Sequence, residues 1–180
     1  MDPSSKPRLW RVFFPLVVAM LVAIQPAAAE PLAYAINSDS FSESLHDHLL
    51  RVDLATGAFV DVGPIRLGSA VAPFLDAEGL ALDPAGQLWA VGDGTKTFFR
   101  IDFDTVRAAI PGSQIGNLGL PTGITAGLDL GLTFACDGTA FMSGEVSKTL
   151  YRIDPINGRA TPVGAIGALG YKITDLAVYG

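Results

Sequence analysis

An internal disulfide is excluded at once, because the chain has a single cysteine, Cys136. Histidine is nearly as scarce, with both copies falling in His46-Asp47-His48. Charge is thin, at 17% of residues, and positive charge is the thinner part: 12 Lys and Arg against 18 Asp and Glu give a net charge of −6. A nucleic-acid binder needs the opposite balance. Also missing are a G-x-S-x-G elbow, a P-loop, an H-E-x-x-H pair and paired cysteines for zinc or haem. What the 180 residues do hold is 49% hydrophobic side chains punctuated by 20 Gly and 12 Pro. That mixture argues against disorder and against a helical bundle, and for an all-β chain of short strands.

Part of the hydrophobicity belongs to the first 29 residues, which read as a secretory signal. Lys6, Arg8 and Arg11 form a basic start, Val12 to Ile24 an apolar stretch, and Ala27-Ala28-Ala29 an A-x-A cleavage pattern before Glu30. The stretch is shorter than the roughly 20 residues of a membrane span, and Pro15 interrupts it. An uncleaved anchor is the alternative. Removing residues 1–29 takes away three basic residues and one acid, so residues 30–180 keep 9 basic and 17 acidic residues and a net charge of −8. The expected location is the periplasm or the extracellular space, with no nucleic-acid partner and no membrane contact after cleavage. Cys136 is expected to pack at a strand end.

Self-comparison finds a repeat of about 50 residues. Gly79-Leu80-Ala81-Leu82-Asp83-Pro84-Ala85-Gly86-Gln87-Leu88-Trp89-Ala90 aligns without a gap to the segment from Gly131 to Met142. The register continues from Thr97-Phe98-Phe99-Arg100-Ile101-Asp102 onto Thr149-Leu150-Tyr151-Arg152-Ile153-Asp154, with a third copy at Leu49-Leu50-Arg51-Val52-Asp53. Alternating apolar runs between turn residues divide each unit into four strands. In the middle unit these are Gly79–Leu82, Leu88–Val91, Phe98–Asp102 and Gln114–Leu118. Hairpin turns at Thr56-Gly57 and Asn157-Gly158 introduce fourth strands at Ala58–Val62 and Arg159–Val163. The first unit begins with its second strand, Leu32–Ile36, while Asp175-Leu176-Ala177-Val178 matches a first strand. The C-terminal strand is therefore expected to close the first sheet. An open array with a capping strand is the other possibility.

These residues resemble the exported bacterial β-propeller repeat proteins, with NHL-type or gluconolactonase-like blades. The likeness lies in the "G-L-A-x-D-P-x-G-x-L-W" opening and the "L-x-R-I-D-x-x-T-G" third strand, and it covers almost all of residues 30–180. It implies an all-β propeller-like fold of three four-stranded blades, and it specifies a fold rather than a function. Propellers have four to eight blades. Three therefore means half of a six-bladed ring completed in a homodimer, a fragment of a longer propeller, or a closed three-bladed ring.

Four acids are the candidate metal ligands. Asp76 and Glu78 precede an innermost strand, Asp129 aligns with Ala77 or, after a one-residue shift, with Glu78, and Asp175 lies near the matching place in the closing strand. Converging carboxylates suit a hard cation such as calcium. The resemblance to gluconolactonase-like propellers implies a channel metal, although that family also uses asparagines and no matching asparagines are present. The competing reading is that the acids cap turns or solvate the channel mouth. In the insertion Ser38–Asp47, His46 and His48 would share one face of an extended strand and so support zinc or copper, unless the loop is simply solvated. The Arg-x-Asp pairs at Arg51, Arg100 and Arg152 read as structural, as do the aromatics Tyr34, Trp89 and Phe141 between blades. The leading functional reading is a noncatalytic binding or assembly module for a small molecule or protein. The alternatives are a metal-dependent hydrolase or lactonase-like enzyme and a truncated propeller without independent function.

Overall fold

Turn chemistry decides where each strand stops. At the end of one strand in the middle unit Asp83 folds its carboxylate back, accepting the amides of Ala85 at 2.9 Å and Gln87 at 2.8 Å, while Gly86 takes φ +76°. A glycine is needed there because L side chains are strained at positive φ. The third unit repeats the turn, with Gly138 at φ +85° and its amide on the carbonyl of Ala135. A second recurring turn follows the third strand, where the amides of Gly57 and Gly158 donate to the carbonyls of Asp53 and Asp154, both at 2.8 Å.

The computed structural model describes residues 31–37, 47–67, 76–102, 107–109, 118–120 and 129–178. Residues 1–30, which carry the expected signal, lie outside the described residues. Among those described there is no helix, and every element is a strand. Sheet one is β1 (Leu32–Asn37), β2 (His48–Asp53) and β3 (Phe59–Pro64), in that order. A short β4 (Arg66–Leu67) then crosses to sheet two, which otherwise consists of β5 (Ala77–Leu82), β6 (Leu88–Gly92), β7 (Thr97–Asp102) and β8 (Arg107–Ala109). Sheet three is β9 (Leu130–Phe134), β10 (Ala140–Gly144), β11 (Thr149–Ile153) and β12 (Ala160–Pro162). Within each sheet successive strands are antiparallel neighbours; the exception is β4, which runs parallel to β8.

Two expectations change here. The fourth strand of the middle unit is Arg107–Ala109, not Gln114–Leu118. Residues 114–117 lie outside the described residues, and Leu118 is fully buried between a turn of sheet two and the edge of sheet three: its amide donates to the carbonyl of Lys96, before β7, at 2.7 Å and its carbonyl accepts from Ala160, the first residue of β12, at 2.9 Å. An apolar residue buried outside any ladder imitates a strand in the sequence pattern. Among the described residues sheet one also keeps only three strands, because residues 172–178 form no strand.

The core lies between the sheets, and alternation assigns its residues to faces. On sheet two, Leu88, Ala90, Phe99 and Ile101 share one face and are all buried. The opposite face carries Trp89, Val91 and Phe98, also buried, with the Trp89 and Phe98 rings stacked at 4.8 Å. Both rings reach Phe134 of sheet three, at 6.1 and 6.4 Å, so this face looks toward sheet three. Trp89 is thus part of an inter-sheet core, as expected, while Tyr34 and Phe141 are half-buried. Sheet three answers with Ala140, Met142, Tyr151 and Ile153, all buried.

Innermost strands meet most closely at glycines. A Cβ on Gly79 of β5 would lie 2.6 Å from the carbonyl oxygen of Leu130 and 2.8 Å from the Leu132 amide nitrogen of β9. One on Gly131 of β9 would lie 2.6 Å from the Cα of Asp175. Residues around Asp175 thus occupy, beside β9, the place that β9 occupies beside β5.

Candidate functional site

The four candidate acids map to the end where the innermost strands begin. Asp76 precedes β5 in a left-handed conformation, φ +47°, and its carbonyl accepts the amide of Asp93 at 2.8 Å. Asp129 precedes β9 and accepts the amide of Glu145 at 3.1 Å in the same way. Asp129 is therefore the counterpart of Asp76, not of Ala77 or Glu78. Glu78 is the extra residue of a bulge: Ala77 pairs with Gly92 and Gly79 with Val91, and the register shifts between them at Glu78. A bulge inserts one residue into one strand, and an ungapped alignment slips by that residue.

Asp175 is exposed, and its carboxylate accepts the amide of Leu176 at 2.7 Å. Positive charge is interleaved with these acids. Lys172 pairs with Glu145, which raises the Lys172 pKa above its ordinary 10.5, chiefly through the hydrogen bond to Glu145, with Asp129 adding to the effect. Lys96 lies 3.8 Å from Asp93. Among the described residues no three His, Cys, Asp or Glu side chains are grouped so as to hold a metal ion.

A carboxylate that the sequence reading passed over organises this end. Asp47, 5% exposed, accepts the amide of Ala77 at 2.7 Å and that of Asp76 at 3.1 Å, so a residue between β1 and β2 fixes the start of β5 in the next sheet. Its own φ is +55°. Lys96 and Lys148, which also directly precede a third strand, have φ of +53° and +49°. The carbonyls of all three accept an amide from the segment after their fourth strand: Ile65, Leu118 and Leu169. The signal available in the sequence was the acid itself, standing where the other two units have lysine.

That left-handed kink alters the histidine reading. Residues 38–46, including His46, lie outside the described residues, and Asp47 is not extended, so the alternation that would place both imidazoles on one face is broken. His48 Nδ1 instead lies 2.9 Å from each carboxylate oxygen of Asp61.

The Arg-x-Asp pairs mark the opposite end. There Arg100 donates to Gln87 at 3.1 Å, while the acids serve turns: Asp53 accepts from Ala55 at 2.7 Å and Asp154 from Ile156 at 2.9 Å. The amide of Ala55 and the side chain of Thr56 hold the Asp53 carboxyl below its ordinary 3.8, and Thr139 does the same for Asp137. Depressions open beside the arginines, one of about 410 Å³ lined by Asp137, Thr139, Arg152, Asp154 and Thr161, the other of about 240 Å³ lined by Gln87, Arg100 and Asp102. They occupy equivalent places in sheets three and two.

A crystallographically solved Bacteroides thetaiotaomicron protein of unknown function superposes on this arrangement with a TM-score of 0.53 at 21% identity, over 75% of this chain and 31% of that one. The fold is propeller-like. Virginiamycin B lyase from Staphylococcus aureus matches more loosely, with a TM-score of 0.39 at 15% identity over 65% of this chain and 34% of the lyase. The chain thus spans about a third of the length of these structures. The sequence matches no protein-family model, and no curated protein matches it. Low identity limits the likeness to the fold.

In this propeller-like arrangement the inner-strand end is a place of cross-sheet contacts, and the hairpin end is open and polar. Cys136 lies at the latter, exposed in the turn between β9 and β10 rather than packed at a strand end, because the tight turn leaves its side chain no neighbouring sheet to meet. No helix among the described residues is long and apolar enough to cross a membrane.

Proposed function

We propose that the protein is an exported, noncatalytic propeller-like module that binds a small molecule or a protein segment at its open hairpin end. The observation that carries this reading is the recurrence of the Arg-centred depression in two successive sheets, at Arg100 and Arg152, with a different polar lining in each. A repeat that keeps its frame and varies its surface suits recognition. The inner-strand end supports the noncatalytic half of the reading: Asp47 is committed to two backbone amides and Glu145 to Lys172.

NMR titration with a mixture of small carboxylates and sugars tests the proposal. The amides of Gly138, Thr139 and Arg152 are expected to shift, and the shifts to vanish in Arg152→Ala. The competing reading is a calcium-dependent hydrolase or lactonase using Asp76, Glu78, Asp129 and Asp175. Calcium-dependent turnover of a lactone or ester that disappears in Glu78→Ala would replace the first reading with this one. Export is tested separately by the N-terminus of the protein recovered outside the cytoplasm, expected at Glu30.

A further inference from the structure

Each face of a sheet in this chain has a counterpart in the other sheets, and the counterparts are not equally covered. On the face that sheets two and three turn toward their predecessor the second and third strands are buried, with Leu88, Ala90, Phe99 and Ile101 in one and Ala140, Met142, Tyr151 and Ile153 in the other, although Leu82, opposite Leu88, is 52% exposed. Strand register assigns Ala33, Ala35, Leu50 and Val52 to the same face of sheet one, and all four are only half-buried. Phe59, opposite Val52, is 65% exposed. At the other end of the array, Phe141 and Leu150 of sheet three occupy the places of Trp89 and Phe98, yet they too are half-buried.

The strands show the same asymmetry. In sheets two and three the second strand is flanked by an innermost strand, β5 beside β6 and β9 beside β10. Among the described residues β1 pairs with β2 alone. Meanwhile the Asp175 segment lies beside β9 in an innermost position without forming a ladder. Its sequence, Asp175-Leu176-Ala177-Val178, parallels Gly79-Leu80-Ala81-Leu82.

We infer that a second copy of this chain covers the half-buried faces of sheets one and three. The uncovered face of sheet three in one copy packs on the uncovered face of sheet one in the other, and Asp175–Val178 adds to the free edge of the partner's β1. This contact is the blade-to-blade interface already made twice within the chain, continued between chains. The two surfaces are different, so the contact is heterologous, and the proposed assembly is the one in which a two-fold axis repeats it and closes the ring at two copies. It contains six sheets, within the propeller range, and removes the exposed edge of β1. The inference rests on the packing of the sheets and is independent of what the module binds.

Light scattering of the full chain after export, over a hundredfold range of concentration, is expected to give twice the mass of one chain. Phe59→Asp places a charge on the face, at a residue exposed in the single chain. Ala177→Pro blocks strand addition by a segment that forms no strand within its own chain. Each variant is expected to halve the mass while keeping the far-UV circular dichroism of the wild type, which shows that the sheets remain folded. A wild type that is monomeric throughout, an assembly larger than two chains, or a dimer that survives both substitutions would overturn the inference.

Discussion

Replacing Asp47 with alanine tests whether one carboxylate couples the first two sheets. It accepts two backbone amides, at 2.7 and 3.1 Å, and the Ala77 amide it serves belongs to a fully buried residue. Hydrogen bonds to a charged acceptor contribute about 1.5–3 kcal/mol each, and a buried amide left without a partner costs at least as much as the bond was worth. Alanine is also strained at φ +55°, by about 1 kcal/mol. The expected loss for Asp47→Ala is about 3–5 kcal/mol, a large part of the roughly 5–15 kcal/mol stability of a typical domain. Two companions separate the causes. Asp47→Gly removes the backbone strain and is expected to lose about 1 kcal/mol less than alanine. Asp47→Asn tolerates the left-handed conformation and keeps one acceptor oxygen, so its expected loss is about 1–2 kcal/mol. Urea unfolding followed by tryptophan fluorescence measures all three, and hydrogen exchange at the Ala77 amide reports the contact directly. An alanine variant within 1 kcal/mol of wild type, or an asparagine variant as damaged as alanine, would refute the reasoning.

Three further outcomes follow from the same structure. Gly79→Ala forces a Cβ to within 2.6 Å of the Leu130 carbonyl, so overpacking is expected to cost about 1–3 kcal/mol, whereas Gly86→Ala meets nothing within 4 Å and is expected to cost only the roughly 1 kcal/mol of a positive φ; equal losses in chemical denaturation would contradict this. The Ser143 hydroxyl is buried without a hydrogen-bond partner among the described residues, so Ser143→Ala is expected to stabilise by about 1 kcal/mol and raise Tm, and a lower Tm would mean that the hydroxyl is satisfied. Across pH, Asp53 and Asp137, with folded pKa values below 3.8, contribute stability that is present above 3.8 and lost as pH falls through the lowered values, while Lys172 contributes below 10.5 and loses its share as pH rises through its raised value. These contributions are expected to be flat between those limits and to shrink with added salt, which unfolding curves at low and high ionic strength will show.

Strand positions were most legible where local chemistry fixes them. The turn glycines at 57, 86, 138 and 158 all adopt positive φ, and the strands they separate fall within a residue or two of the pattern. The sequence reading failed where a distant partner decides. Arg107–Ala109 has little strand character of its own and is held between β7 and β4, while Leu118 is apolar because it joins the core without belonging to a strand. Two candidate sites shifted for similar reasons. A single bulge residue moved Asp129 from the level of Ala77 to that of Asp76, and a single left-handed residue broke the histidine alternation. Neither conformation is encoded by residue type alone, since lysine, which has no preference for the left-handed region, occupies it as aspartate does.

The parallel pairing of β4 with β8 bears on the order of folding. Among the described residues every other pairing joins strands that follow one another in the chain, whereas Arg66 and Arg107 are 41 residues apart. Closing a span of that length is a separate entropic step, even though its cost grows only logarithmically. The hairpins are therefore expected to assemble first, with this strap fastening afterward and opening first under mild denaturant. The outer rim would then exchange its amide protons sooner than the buried strand β6, from which β7 separates it.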